Sequence, residues 1–170
     1  MKYMPGTEKP FENKEAFESY KKMIEMAGGI SLGQICTITN LEPHMIQNWV
    51  KRGYLPHPIQ KKYYTKHLSR ILLINALREC MKIEDIGQLM VLINGDVDDE
   101  SDDIISEEDL YRLFSELIYR LDDYKDIEKI IDDNVKQERL NRCMKVMVYA
   151  YVSSEMAIKA NAYLDELRNV

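Results

Sequence analysis

The 170 residues carry 29 Asp/Glu against 23 Lys/Arg, a net charge of −6, with only seven Gly and five Pro. That composition points to a mostly helical chain able to bury one good core, or a small domain with an appended helical one. No run of eighteen apolar residues occurs and the first residues lack the apolar core of a signal peptide, so a membrane span is excluded and a cytoplasmic location is expected.

The acidic total hides a split. Residues 30–82 hold eight Lys/Arg against two acids, a local +6, whereas residues 83–170 hold ten against twenty-two. A basic stretch inside an acidic chain is the electrostatic footprint of a phosphate-backbone binder.

In chain order, Asn13 is read as the cap of a first helix whose Ala16, Phe17, Tyr20, Ile24 and Ala27 recur at spacings of three and four, with Gly28 and Gly29 ending it. This helix is expected to pack on the domain that follows. Ser31 caps a short helix over 32–38, and Asn40 suits the left-handed position of a tight helix-helix turn. Pro43 then opens a second helix that runs to Arg52, where Gly53 stops it. Residues 54–64 mix proline, aromatic and basic side chains at a length that suits a small hairpin wing. Thr65 caps a helix over 66–81 with Leu68, Ile71, Leu72 and Leu77 as its apolar face, and a further helix over 83–93 ends at Asn94-Gly95.

Residues 96–103 are then almost wholly acidic and read as a boundary between two domains. Ser106 starts the next helix, with Leu110, Leu113, Phe114, Leu117, Ile118 and Leu121 as its stripe. A weaker piece over 126–131 leads into a long helix over 135–167. Within it, residues 143–160 are apolar on nearly every side, which calls for cover by the rest of the domain or by a second copy; no strict heptad is read through it. The three cysteines, Cys36, Cys80 and Cys143, are isolated and are read as buried thiols.

The chemistry concentrates in the helix over 43–52. At 100° per residue His44, Gln47, Asn48 and Lys51 share one face, while Ile46, Trp49 and Val50 share the other. Gln and Asn pair bidentately with adenine in the major groove, and Lys51 and Arg52 reach phosphates or guanine. Lys61, Lys62 and Tyr64 on the wing suit backbone contact.

From Ser31 to Met90 the sequence resembles the DNA-binding domain of the MerR family, most specifically in Gly53-Tyr54-Leu55-Pro56 and Tyr63-Tyr64-Thr65. The recognition helix departs from that family's usual pattern, with Gln47 where its arginine stands and Asn48 in place of its first tyrosine. Over the whole chain, the added first helix and the helical tail resemble a bacterial family described as domain of unknown function 1836. The resemblance implies a transcriptional regulator of low-GC Gram-positive bacteria and adds no catalytic residues.

Other chemistry is set aside. Asp96, Asp98, Glu100 and Glu107 fit positions of a calcium-loop frame, but Ser101 stands where the turn needs Gly. His44, His57 and His67 have no metal-ligand spacing, and no catalytic motif occurs, so neither metal, cofactor nor enzyme activity is expected. Met144, Met147, Met156, Tyr149 and Tyr151 are read as core or dimer packing, with a pocket for an unknown small-molecule effector as the alternative.

The expected architecture is therefore mainly α: a first helix and a MerR-like winged helix-turn-helix with a small β wing over 1–95, an acidic linker over 96–105, and an all-α region over 106–170 that dimerises or senses a signal. The expected function is sequence-specific binding of double-stranded DNA by a homodimer joined through its C-terminal helices. The rivals are a protein-interaction adaptor that uses the same fold without DNA, and a MerR-like excisionase or architectural factor.

Overall fold

The computed structural model describes residues 3–8 and 16–168, and every regular element among them is a helix. These are α1 (Ala16–Met26), α2 (Leu32–Thr39), α3 (Pro43–Lys51), α4 (Thr65–Leu77), α5 (Ile83–Asn94), α6 (Glu107–Arg120), α7 (Ile127–Asn134) and α8 (Glu138–Arg168), with a 3-10 turn, Tyr124–Asp126, ahead of α7. The cap expected at Asn13 lies outside the described residues.

Local chemistry sets the boundaries elsewhere. The Ser31 hydroxyl accepts from the Gln34 amide at 3.3 Å while the Gln34 side chain accepts the Ser31 amide at 2.8 Å, a complete capping box. Asn40 closes α2 in the left-handed conformation (φ 56°, ψ 31°), Pro43 occupies the first turn of α3, and Gly53 follows α3 with φ +74°. Ser106 caps α6 by accepting from the Asp109 amide at 3.1 Å.

The small β wing expected over 54–64 does not form. The described residues hold isolated bridges rather than strands. Ile59 and Lys62 exchange both backbone hydrogen bonds around Gln60 and Lys61, whose φ values of 50° and 63° are those of a two-residue hairpin turn. The ladder stops there because the next pair that would exchange hydrogen bonds, His57 and Tyr64, is engaged elsewhere: the His57 amide donates to Asp98, its carbonyl accepts from His67, and the Tyr64 amide donates to His67. Tyr63 instead exchanges its two bonds with Ile30, at 2.8 and 2.9 Å, which stitches the turn to the residue preceding the Ser31 cap.

The helix expected over 66–81 with one apolar face is also corrected. It stops at Leu77, and eleven of its thirteen residues are buried, because α1, α2, α5, α6 and α8 all pack on it. Its earlier end leaves Cys80 exposed where a buried thiol was expected; Cys36 is half-buried and Cys143 buried.

The apolar stretch of α8 needs less outside cover than its sequence suggests. Leu140, Cys143, Met144, Met147, Val148 and Tyr151 are buried within the chain, where α4, α5, α6 and α7 pack on α8, and burial ends at Ser154. From Glu155 on, every described residue is exposed, so the helix continues as an arm roughly 20 Å long.

One hydrophobic core runs from Met4 to Tyr151 without a break at the acidic stretch. Phe17 of α1 packs on Tyr111 of α6 with centroids 4.8 Å apart, and Phe114 meets Tyr151 of α8 edge-on at 5.7 Å. The Tyr111 hydroxyl donates to the Pro5 carbonyl at 2.8 Å, and Glu18 pairs with Arg112 at 2.9 Å. The first helix thus joins α6 as well as α4.

Candidate nucleic-acid interface

Helix α3 is rooted by Ile46 and Trp49, which are buried, with Val50 half-buried beside them. His44, Gln47, Asn48 and Lys51 all lie exposed on the other side, so the amphipathic division read from the sequence is the division in space. The short link through Asn40 and buried Leu41 holds α3 against α2 and fixes its angle.

Arg52 sits one residue past α3 and is not idle. Its Nη2 lies 2.5 Å from Glu84 of α5 and 3.1 Å from the Tyr54 hydroxyl, and the guanidinium stacks 4.9 Å from the Tyr54 ring centroid. The hydrogen bond to Glu84 raises the Arg52 pKa, and the same bond lowers that of Glu84. Tyr54 in turn packs the Cδ1–Cε1 edge of its ring against Gly87 of α5, where a Cβ would stand 2.5 Å from the ring.

At the turn, Lys61 is exposed at the tip while Lys62 folds back so that its ammonium donates to the Gly28 carbonyl at 3.1 Å. Tyr64 is half-buried, its ring covering Gly29. Behind them stands His67, fully buried. Its Nδ1 accepts the Tyr64 amide at 2.9 Å, which leaves Nε2–H to donate to the His57 carbonyl at 3.1 Å. Burial pushes the His67 pKa down, in keeping with a neutral ring that pins both ends of the turn segment.

Three groups that the sequence reading left out belong to this surface. Lys66, in the first turn of α4, is bonded to Glu100 at 2.5 Å; His57 contacts Asp98; and buried Arg70 donates from Nε to the Tyr54 carbonyl at 3.0 Å and from Nη1 to Glu107 at 2.5 Å. The local +6 charge was the signal for Lys66 and Arg70, but only the fold shows which acids the three groups meet. Asp98, Glu100 and Glu107 of the calcium-loop frame therefore each face a different side chain, His57, Lys66 and Arg70 respectively, and no group of three metal-ligating side chains converges among the described residues. Nor do the five Met and Tyr residues considered for an effector share a cavity: Met144, Met147 and Tyr151 are core, while Tyr149 and Met156 are exposed. No described helix is long and apolar enough to cross a membrane.

The family model described as domain of unknown function (DUF1836) matches residues 30–114, half of the chain. The chain belongs to the DUF1836 family. The match in this DUF1836 chain starts at Ile30, the partner of Tyr63, and crosses the acidic loop into α6, so the matched unit includes the Arg70–Glu107 junction. Over 81 residues the chain is 33% identical to "Uncharacterized protein YkrK" of Bacillus subtilis (strain 168), a stretch that covers 45% of this chain and 35% of that relative. No solved structure matches.

Proposed function

We propose that this DUF1836 chain is a sequence-specific, duplex-DNA-binding transcriptional regulator with the helix-turn-helix arrangement of the MerR family, without enzymatic activity of its own. The observation that carries the reading is α3: an exposed face of His44, Gln47, Asn48 and Lys51 on a helix anchored by Ile46 and Trp49, followed in the chain by the exposed Lys61–Lys62 turn. In this reading α3 enters the major groove, Gln47 and Asn48 read base edges, and Lys61, Lys62 and Lys66 meet phosphates.

A second copy joins through the α8 arm. Val146, Tyr149, Met156, Tyr163 and Leu167 are exposed and, with Ser153 and Ala160 between them, repeat at alternating spacings of three and four, the pattern of a coiled-coil seam. The heptad not read from the sequence emerges once the residues buried within the chain are subtracted. A cleft of about 630 Å³ between the Asn40 turn, the end of α4 and Ser154–Ile158 of α8 is the place where a small effector would touch both ends of the molecule.

Binding to duplex DNA across a salt series tests the reading, with an expected log-log slope of about −5 to −9 for six to ten phosphates per dimer. Gln47→Ala or Asn48→Ala should erase sequence preference, while Lys61→Ala should weaken all sequences alike. Absence of binding at low salt overturns it. Removal of residues 155–170 should yield a folded monomer. The adaptor reading draws on Val91 and Leu92, both 57% exposed beside Tyr54, and gains if α5 substitutions alter protein partners while DNA is ignored.

A further inference from the structure

The loop between α5 and α6 carries six acids and no cation over residues 96–105, and it does not hang free in solvent. Asp98 accepts the His57 amide on Oδ1 and faces the His57 ring with Oδ2, both at 3.2 Å. Glu100 holds the Lys66 ammonium at 2.5 Å. On the neighbouring helix Glu84 holds Arg52 in the same way. Lys66 and Arg52, like the His57 ring, come from the basic segment, so carboxylates already occupy places that a phosphate backbone would take.

The contacts of the loop differ between its base and its tip. Its base is held by Asn94, which bonds the Ile105 carbonyl at 2.8 Å, and by the buried Arg70–Glu107 pair. The tip is shaped by its own turns, with Asp96 accepting the Asp98 amide and Asp99 the Ser101 amide, both at 2.9 Å. The contacts of the tip are exposed, a pair of hydrogen-bond contacts to His57 and an ion pair to Lys66, and such contacts are individually weak, the ion pair being screened by salt. Closure also crowds like charges: burial, then Glu107, Glu100 and Asp102, push the Asp103 carboxyl up to about 6.

We propose that the acidic loop 96–105 is an intramolecular competitor of nucleic-acid phosphate. Latched on His57 and Lys66 it lowers affinity for DNA, and swinging away at the tip exposes the Lys66 ammonium and the His57 amide and ring to the backbone. The proposal rests on the DNA-binding reading above and adds its regulation. That the family match runs through the loop to Phe114 fits a latch that belongs with the helix-turn-helix.

The test compares the natural chain with Asp98→Asn/Glu100→Gln on random-sequence duplex DNA over a salt series. Asp133→Asn/Glu138→Gln, a pair of exposed acids on and beyond α7, serves as a control of equal net charge. Loss of the latch should tighten binding roughly three- to ten-fold near 0.1 M salt, with the gain fading as salt screens it; the control should change affinity less than about two-fold. Hydrogen exchange without DNA, comparing the natural chain with Asp98→Ala, reads the latch directly, since the His57 amide should be protected only when Asp98 accepts it. Equal affinity of the natural and latch variants, or an equal gain in the control, overturns the competitor while leaving DNA binding intact. Failure of every variant to bind DNA overturns the DNA reading and the competitor together, and a protected His57 amide would then mark the loop as purely structural.

Discussion

Replacing Arg70 with Met removes a cation buried at the junction of α4 and α6 while keeping much of its bulk. The guanidinium supplies Glu107 Oε1 at 2.5 Å and the Tyr54 carbonyl at 3.0 Å. Without it Glu107 keeps only the Asn94 amide at a long 3.4 Å, and its Oε2 has no partner among the described residues. Breaking a buried pair from one side costs about 3–5 kcal/mol, and the orphaned carbonyl about 1 more, so Arg70→Met should lose about 4–6 kcal/mol, a large share of a domain's stability. Arg70→Met/Glu107→Leu removes both charges and should return to within about 2 kcal/mol of the natural chain, because well-packed apolar pairs replace buried ion pairs at little cost. Urea unfolding measures this, read by far-UV circular dichroism and by fluorescence of Trp49, the single tryptophan, which is buried in α3. Because one core spans the acidic loop, the two signals should move together. A single-variant loss under about 1 kcal/mol, or a double variant as unstable as the sum of the singles, would refute the assignment.

His67 should make the fold acid-sensitive: burial holds its folded pKa below the unfolded value near 6.5, so its contribution is present above that value and lost as pH falls below it. A melting temperature that declines between pH 7.5 and 5 in the natural chain, and declines less in His67→Gln, is the expected result; identical pH profiles would count against it. Asp103 has the opposite sign, since its folded pKa is raised to about 6 and the stability it contributes in acid is lost as pH rises through that value. Asp103→Asn should therefore stabilise the chain at pH 8 and leave it nearly unchanged at pH 4, which thermal melts at the two pH values can check. Gly87→Ala would place a methyl 2.5 Å from the Tyr54 ring and should cost about 1–3 kcal/mol, an effect that should shrink in a Tyr54→Ala background when both are measured by urea unfolding.

Much of this chain is written locally. The Ser31 and Ser106 caps, left-handed Asn40, Pro43 at the start of α3 and the stop at Gly53 are decided by residues within one turn of each other, so the sequence alone placed these boundaries within a few residues. The two faces of α3 were equally legible, because helical periodicity sorts Ile46 and Trp49 from Gln47 and Asn48 before any partner is known.

What escaped the sequence depends on partners distant along the chain. The composition of residues 54–64 suited a hairpin, but Asp98 and His67 take the His57 and Tyr64 backbone hydrogen bonds that would extend its ladder, and Tyr63 pairs across to Ile30 instead. Periodicity gave α4 one apolar face, yet five helices surround it, so Ser69 and Arg70 are buried as well as Leu68. The same packing decided α8: neighbours within the chain cover it to Ser154, and subtracting them reveals the exposed seam from Val146 to Leu167. Charge behaved likewise. Counting residues located the basic segment and the acidic loop, whereas tertiary structure alone could set Asp98 on His57, Glu100 on Lys66 and Glu107 on Arg70, since Coulomb pairing acts through space and the partners stand 34 to 41 positions apart in sequence.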